Sequence, residues 1–328
     1  MEKYVLITGV AGLLGSNMAD YILHNEKDYG VIGIDNLFGG YLSNINNEVI
    51  FYQRDLSKNN INDIFENHNV EYVFHFAAYA AEGLSPFMRM FNWQNNSVST
   101  ANIINCCIKY KVKRLIYTSS TSVYGYGKCD ETETPKPIDS YGISKYACEM
   151  DIQVAGEQHN LDWCIIRPHN IYGEKQNIWD RYRNVIGIWM FQILNKQSIT
   201  IYGDGEQTRA FTYISDILKP LWNAAVFENA SKEIINLGGT KTYSINEVAK
   251  VLCNITHYEK VIYEEPRYEV MNISPTYQKS IDILGYKNET DLMEGISRMW
   301  EWAKIQPNRE RFKWDNYEIT NGLYSYWL

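Results

Sequence analysis

YVLITGVAGLLGSNMADYIL, Tyr4 to Leu23, changes its period halfway along. YVLIT (4–8) is almost wholly apolar, as a strand covered on both faces requires. Beyond Gly9 the apolar residues recur at helical spacing instead. The turn between carries Gly9, Gly12 and Gly15, with Leu13 and Leu14 inside it. Without side chains, such a turn lets a pyrophosphate reach backbone N–H groups at the positive end of the helix. Glycines so spaced can also serve packing alone, and the next strand weighs against that. YGVIGIDN (29–36) ends in Asp35 and Asn36, about 20 residues on, where a carboxylate accepts from the ribose hydroxyls of adenosine. The same carboxylate repels a 2′-phosphate, and no arginine follows it, so the pattern selects NAD over NADP. Asp55 and Leu56 follow the third strand, where they either meet the adenine ring or form a solvated turn.

The alternation continues through the first half. Strands are expected at 49–55, 70–78, 113–120 and from 161, with helices at 61–68, 95–110 and 144–159. Apolar strands alternating with helices mean a parallel sheet covered on both faces. After about residue 173 the pattern loosens, with helices at 184–196, 244–254 and 291–305 and strands at 199–205, 232–239 and 260–267. Two units are expected, 1–173 for the dinucleotide and 174–328 mainly for a second ligand, with segments such as 211–240 returning to the first. The tail, with Trp314, Tyr317, Tyr324, Tyr326 and Trp327, is aromatic enough to pack on the body or on a neighbouring subunit.

Bulk properties exclude several classes. With 31 basic and 39 acidic residues the formal charge is −8, and no basic stripe for nucleic acid is present. No stretch reaches the roughly 20 apolar residues of a membrane span. Six histidines without paired spacing give no metal site. Six cysteines without CxxC pairs suit a reduced, cytoplasmic chain.

YTSSTSVYG (117–125) ends a parallel strand at the edge where open α/β sheets place ligands. YGISK (141–145) puts Tyr141 and Lys145 four apart on one helix face. Spacing alone leaves them a surface pair. Beside a nicotinamide they become a base, because the lysine ammonium and the positive ring both favour the phenolate. Tyr141 then takes a proton from a sugar hydroxyl while hydride leaves the same carbon, and a strand-end serine orients the oxygen.

These motifs resemble the extended short-chain dehydrogenase/reductase family, in its nucleotide-sugar epimerase/dehydratase branch. The match runs through TGVAGLLG (8–15), GIDNL (33–37), RDL (54–56), HFAA (75–78), NN (95–96), SSTSVYG (119–125), YGISK (141–145), RPHNIYG (167–173), TIYGDGEQTRAFTYISDI (200–217) and PR (266–267). The resemblance implies a Rossmann-type doubly wound parallel sheet with a smaller mixed α/β substrate-binding lobe. It implies Ser120, Tyr141 and Lys145 as catalytic residues, and further NAD contacts from Phe76, Ala77, Ala78, Asn95 and Pro168. It implies Asn170, Arg209 and Arg267 on a sugar diphosphate, with Tyr213 near them; either arginine read alone is equally a surface residue. Arginine forks suit phosphate geometry. It also implies a homodimer built on the helices near 95–110 and 144–159.

Two loops depart from the plain galactose-epimerase versions, AAYAAEGLSPF (77–87) and GEKQNIWDRYRNVIG (173–187). Glu82, Ser85, His169, Asp180, Arg181 and Arg183 are candidates to rim the sugar pocket, the RYR cluster equally a salt-bridge network or a dimer contact. Ile273 and Ser274 fall where relatives gate sugar size. The 4,6-dehydratases place Thr-Asp-Glu where this chain has Ser120-Thr121-Ser122, and related decarboxylases a glutamate at Ser122. No acid–base pair is therefore expected at this strand end. What survives is redox chemistry at C4. The expectation is an NAD-dependent epimerase of a nucleotide-diphosphate sugar working through a transient 4-keto sugar. The alternative is a 4-reductase or dehydrogenase of a nucleotide-linked deoxy sugar or heptose. The intact Ser120, Tyr141 and Lys145 speak against a catalytically inert ligand sensor.

Overall fold

The computed structural model describes residues 2–126 and 128–327. The chain runs β1 (Lys3–Thr8), α1 (Leu13–Asn25), β2 (Tyr29–Asp35), β3 (Ile50–Gln53), α2 (Asn62–Asn67) and β4 (Val70–His75). Next come α3 (Arg89–Trp93), α4 (Ser99–Lys109), β5 (Arg114–Thr118), α5 (Ser140–His159), β6 (Trp163–Pro168) and β7 (Asn170–Tyr172). Then follow α6 (Val185–Leu194), β8 (Ile199–Tyr202), β9 (Thr208–Tyr213), α7 (Ile214–Val226), β10 (Glu233–Leu237) and β11 (Thr242–Ser244). The series ends with α8 (Ile245–Thr256), β12 (Val261–Glu264), α9 (Gln278–Leu284) and α10 (Leu292–Lys304).

Seven parallel strands form the main sheet in the order β10-β6-β5-β4-β1-β2-β3. Two apolar cores lie on its faces, one including Met18, Ile22, Leu221 and Trp222 of α1 and α7, the other Ile103, Cys107 and Ile152 of α4 and α5. This is the Rossmann-type sheet with helices on both sides. Smaller sheets, β11-β9-β7 and β12-β8, make the second lobe. The strand order reverses between β1 and β4, the switch point outside whose carboxyl ends such sheets bind ligands.

Several boundaries differ from those read in the sequence. The segment expected to begin as a strand at Leu161 holds two: β6 stays in the main sheet, while β7 leaves to pair with β9. The helix expected at 95–110 is continuous from α3, through a π-turn at Gln94–Val98, into α4. The helix expected from Ser144 starts at Ser140, because the Asp139 carboxylate accepts from Gly142 N at 2.8 Å and caps it. That earlier start places Tyr141 in the first helical turn. β10 pairs with β6, carrying the chain back to the main sheet. The aromatic tail packs on its own chain, Trp327 being buried among Tyr79, Leu84, Phe87 and Tyr182.

Arg167 and Glu149 are both fully enclosed, and sequence reading gave no sign of them. Arg167 Nε and Nη2 donate to Glu149 at 2.9 and 2.6 Å, and Nη1 donates to Tyr124 Oη at 2.8 Å. Tyr124 in turn donates to Asn236 of β10 at 2.8 Å. One guanidinium thus joins β6, α5, the turn after β5 and β10. Glu149→Gln leaves a buried cation half paired and should cost about 3–5 kcal/mol in urea unfolding.

Candidate functional site

A cavity of about 480 Å3 opens at the carboxyl ends of β1, β4 and β5. Every position assigned above to NAD lines it, from the glycine turn through Asp35, Asn36, Asp55 and Leu56 to Phe76, Ala77, Ala78, Asn95, Tyr141, Lys145 and Pro168. Gly9 holds φ +70, and a Cβ there would stand 2.9 Å from Ala77 N. One on Gly15 would stand 2.2 Å from the Gly9 carbonyl oxygen. Positions 9 and 15 therefore require glycine, and both line the cavity. Asp35 accepts from Ala11 N at 3.0 Å and Leu37 N at 2.7 Å. Burial holds its carboxyl above the usual range, and those amides with the Arg183 charge pull it back. Arg183 is the cation that local sequence did not show near Asp35; it arrives from the loop before α6, bound to Asp180 at 2.9 Å.

Tyr141 and Lys145 are both buried on the cavity wall. Lys145 Nζ donates to the Thr118 carbonyl at 2.7 Å and lies 4.8 Å from the Tyr117 ring centre. Burial pulls its pKa down to about 8. The Tyr141 phenol is pushed up, first by burial, with Glu82 and Asp139 adding to the rise and a hydrogen bond with Ser120 opposing it. In the protein's own field burial dominates the phenol, so the phenolate depends on the other cation expected beside it, the positive nicotinamide ring.

Ser120 heads a short chain of hydrogen bonds. Its Oγ donates to Ser122 Oγ at 3.1 Å, and Ser122 Oγ donates to Glu82 Oε2 at 3.1 Å. A carboxylate from the segment after β4 thus reaches the strand end where the local sequence offered none. Asp139 stands behind it, off the cavity wall and held by Gly142 N, so of these two only the Glu82 carboxylate is presented at the strand end.

Asn170, Arg209 and Arg267 also line the cavity, as do Ile273 and His169. Arg209 is committed: it donates to Glu269 at 2.6 Å and to the Thr208 and Met271 carbonyls at 2.9 and 3.0 Å. Arg267 lies 3.6 Å from the Tyr202 ring centre and donates through Nε to Tyr326 Oη at 3.1 Å. Its Nη2 is buried with no partner, a donor held ready beside the cavity. Tyr326 reaches this cradle from the aromatic tail, and Tyr202, which completes it, carries no reading from the sequence.

Two assigned positions fall outside. Tyr213 donates to Glu174 at 2.5 Å away from the cavity, because four residues along β9 from Arg209 is ~13 Å. Arg181 donates to the Tyr326 carbonyl and anchors the tail instead of meeting the cavity. Ser85, Asp180 and Ser274 also lie off its wall.

The model of the NAD dependent epimerase/dehydratase family matches residues 5–238. The chain belongs to that family. A Methanocaldococcus jannaschii protein, provisionally named a UDP-glucose 4-epimerase, is 34% identical over 306 residues, 92% of this chain and 98% of that one. The Thermotoga maritima UDP-glucose 4-epimerase, solved with UDP-glucose, superposes with a TM-score of 0.86 at 31% identity over 91% of this chain and 98% of its own. The Bacillus cereus UDP-glucuronic acid 4-epimerase, solved with UDP-glucuronic acid and NAD, gives 0.84 at 26% identity over 92% and 99%.

A lysine whose folded pKa lies near 8, against about 10.4 when unfolded, costs stability below pH 8, and the cost fades as pH rises from 8 to 10. Lys145→Met should therefore gain on the wild type at pH 7 relative to pH 10, by about 2 kcal/mol in urea unfolding.

Proposed function

We propose that this protein is an NAD-dependent 4-epimerase of a nucleotide-diphosphate sugar, of the UDP-glucose/UDP-galactose or UDP-N-acetylhexosamine type. One observation carries this reading: a single cavity joins the glycine turn, the Tyr141–Ser120 couple and the cradled Arg267. The similarity to 4-epimerases solved with UDP-sugars supports it.

The residues present fit the dinucleotide. A Cβ on Gly9 or Gly15 would collide with the backbone of Ala77 or of Gly9 and so disrupt the turn, and Thr118 Oγ1 and Ser119 Oγ on the cavity wall are buried without partners. Backbone amides of the glycine turn would hold its pyrophosphate and Asp35 its ribose. When bound, NAD supplies a hydride acceptor at C4 of the sugar and the positive charge that stabilises a phenolate.

Tyr141 removes the proton from the 4-hydroxyl as that carbon is oxidised, and returns it when the 4-keto sugar is reduced from its other face. Ser120, fixed by Ser122 N at 3.1 Å, holds the sugar oxygen. Lys145 keeps its positive charge below about pH 8 and favours the phenolate. Arg267 Nη2 holds the diphosphate, together with Asn170. Epimerisation at C4 needs no proton transfer at C5.

We also propose a homodimer. Trp93 and Val98 on one helix and Ile143, Met150 and Val154 on α5 leave exposed apolar side chains on adjacent helices, a surface suited to a second copy. Six free thiols support a cytoplasmic location.

Purified protein supplied with NAD should interconvert two UDP-sugars without net NADH formation. Stoichiometric NADH change would establish a reductase or dehydrogenase instead. Tyr141→Phe should lower kcat by at least about 100-fold while NAD stays bound, read by absorbance and mass spectrometry of the product.

A further inference from the structure

Glu82 opens the short turn Glu82–Phe87 and lines the cavity two hydrogen bonds from Ser120. Four charged or titratable groups face it. Asp139 caps α5, Tyr141 lies in the first turn of that helix, Glu269 follows β12, and Arg209 comes from β9. Arg209 is the only cation among them, and its guanidinium is taken by Glu269 and two carbonyls. Among the described residues Glu82 enters no ion pair. Asp139 Oδ2 is itself buried without a partner. Two further cations line the same cavity, but Lys145 Nζ is held by the Thr118 carbonyl and Arg183 by Asp180, so neither pairs with Glu82.

We infer that Glu82 makes this site select sugars without a carboxylate at C6, rejecting hexuronic acids in favour of neutral hexoses or hexosamines. The inference rests on the nucleotide-sugar reading above. With the 4-oxygen at Ser120 and Tyr141, C6 lies only two bonds from the reacting carbon. A carboxylate there shares the cavity with that of Glu82, and at ~6 Å in a protein interior such repulsion lowers affinity by about 100-fold. A 6-hydroxyl donates a hydrogen bond to the same carboxylate instead. Relatives in the family differ on this point, since one of them is solved with UDP-glucuronic acid.

Burial, reinforced by Asp139, holds the Glu82 carboxyl up at about 7. Glu82 can therefore take up a proton to admit an acidic sugar, at a cost that grows tenfold per pH unit above 7. Selectivity is absent at pH 6, about tenfold at pH 8 and about 100-fold at pH 9.

The test is calorimetric titration of the NAD-loaded protein with UDP, UDP-glucose and UDP-glucuronic acid at pH 6, 8 and 9. The wild type should bind UDP-glucose more tightly than UDP-glucuronic acid by the margins above. Glu82→Gln should bind UDP-glucuronic acid about tenfold more tightly than the wild type at pH 8 and lose the pH dependence, a gain that misfolding does not produce. Glu82→Asp should keep the discrimination. Equal wild-type affinities at pH 9, or an undiminished gap in Glu82→Gln, overturn the inference while UDP binding leaves the nucleotide-sugar reading standing. Failure of the wild type to bind UDP and both sugars overturns both.

Discussion

Arg167, near the carboxyl end of β6, sends two guanidinium nitrogens to Glu149 and a third to Tyr124. Pro168 adjoins Arg167, Ser120 precedes Tyr124 by four residues, and Tyr141 shares a helix with Glu149. The site therefore depends on an interaction that never touches the cavity. Two charges with almost no exposure must be paired in both position and direction, since either alone is costly in the interior. That requirement fixes the separation between α5, β6 and the turn after β5 more tightly than apolar packing would, because methyl groups tolerate sliding that a bidentate fork does not.

The cavity itself is divided by charge. At one end, backbone amides and Asp35 present the geometry a dinucleotide needs, with Arg183 tempering the carboxylate. At the other, Arg267 is held rigid between Tyr202 and Tyr326 with one nitrogen unspent. Arg209, equal to it in sequence analogy, has its charge neutralised by Glu269. A protein of formal charge −8 can hold an anion because a few donors are pre-positioned and desolvated, not because its surface attracts one. Between the two ends sits Tyr141, whose phenol burial keeps protonated until a positive group arrives.

Much of this was legible in contiguous residues. The glycine turn, Asp35, the strand-end serines and the Tyr141–Lys145 spacing each carry their meaning within a few positions, and all line one cavity. Reading failed where meaning depended on partners. Tyr213 shares a motif with Arg209 but sits too far along β9, and Arg181 belongs to the tail anchor. The Ser120–Ser122 element showed no acid of its own, although Glu82 supplies one from another segment.

Local pattern by itself determined the alternation of strands and helices, the parallel sheet and the position of the cofactor turn, because hydrophobic period and missing side chains act over one turn or one strand. Tertiary structure alone decided which of two arginines remains free, which cation reaches Asp35, and that Glu82 stands beside Ser122. Those are electrostatic and hydrogen-bonded meetings across 40 to 150 positions of chain, set by strand order and loop path, and no short stretch of sequence encodes a distance between segments that far apart.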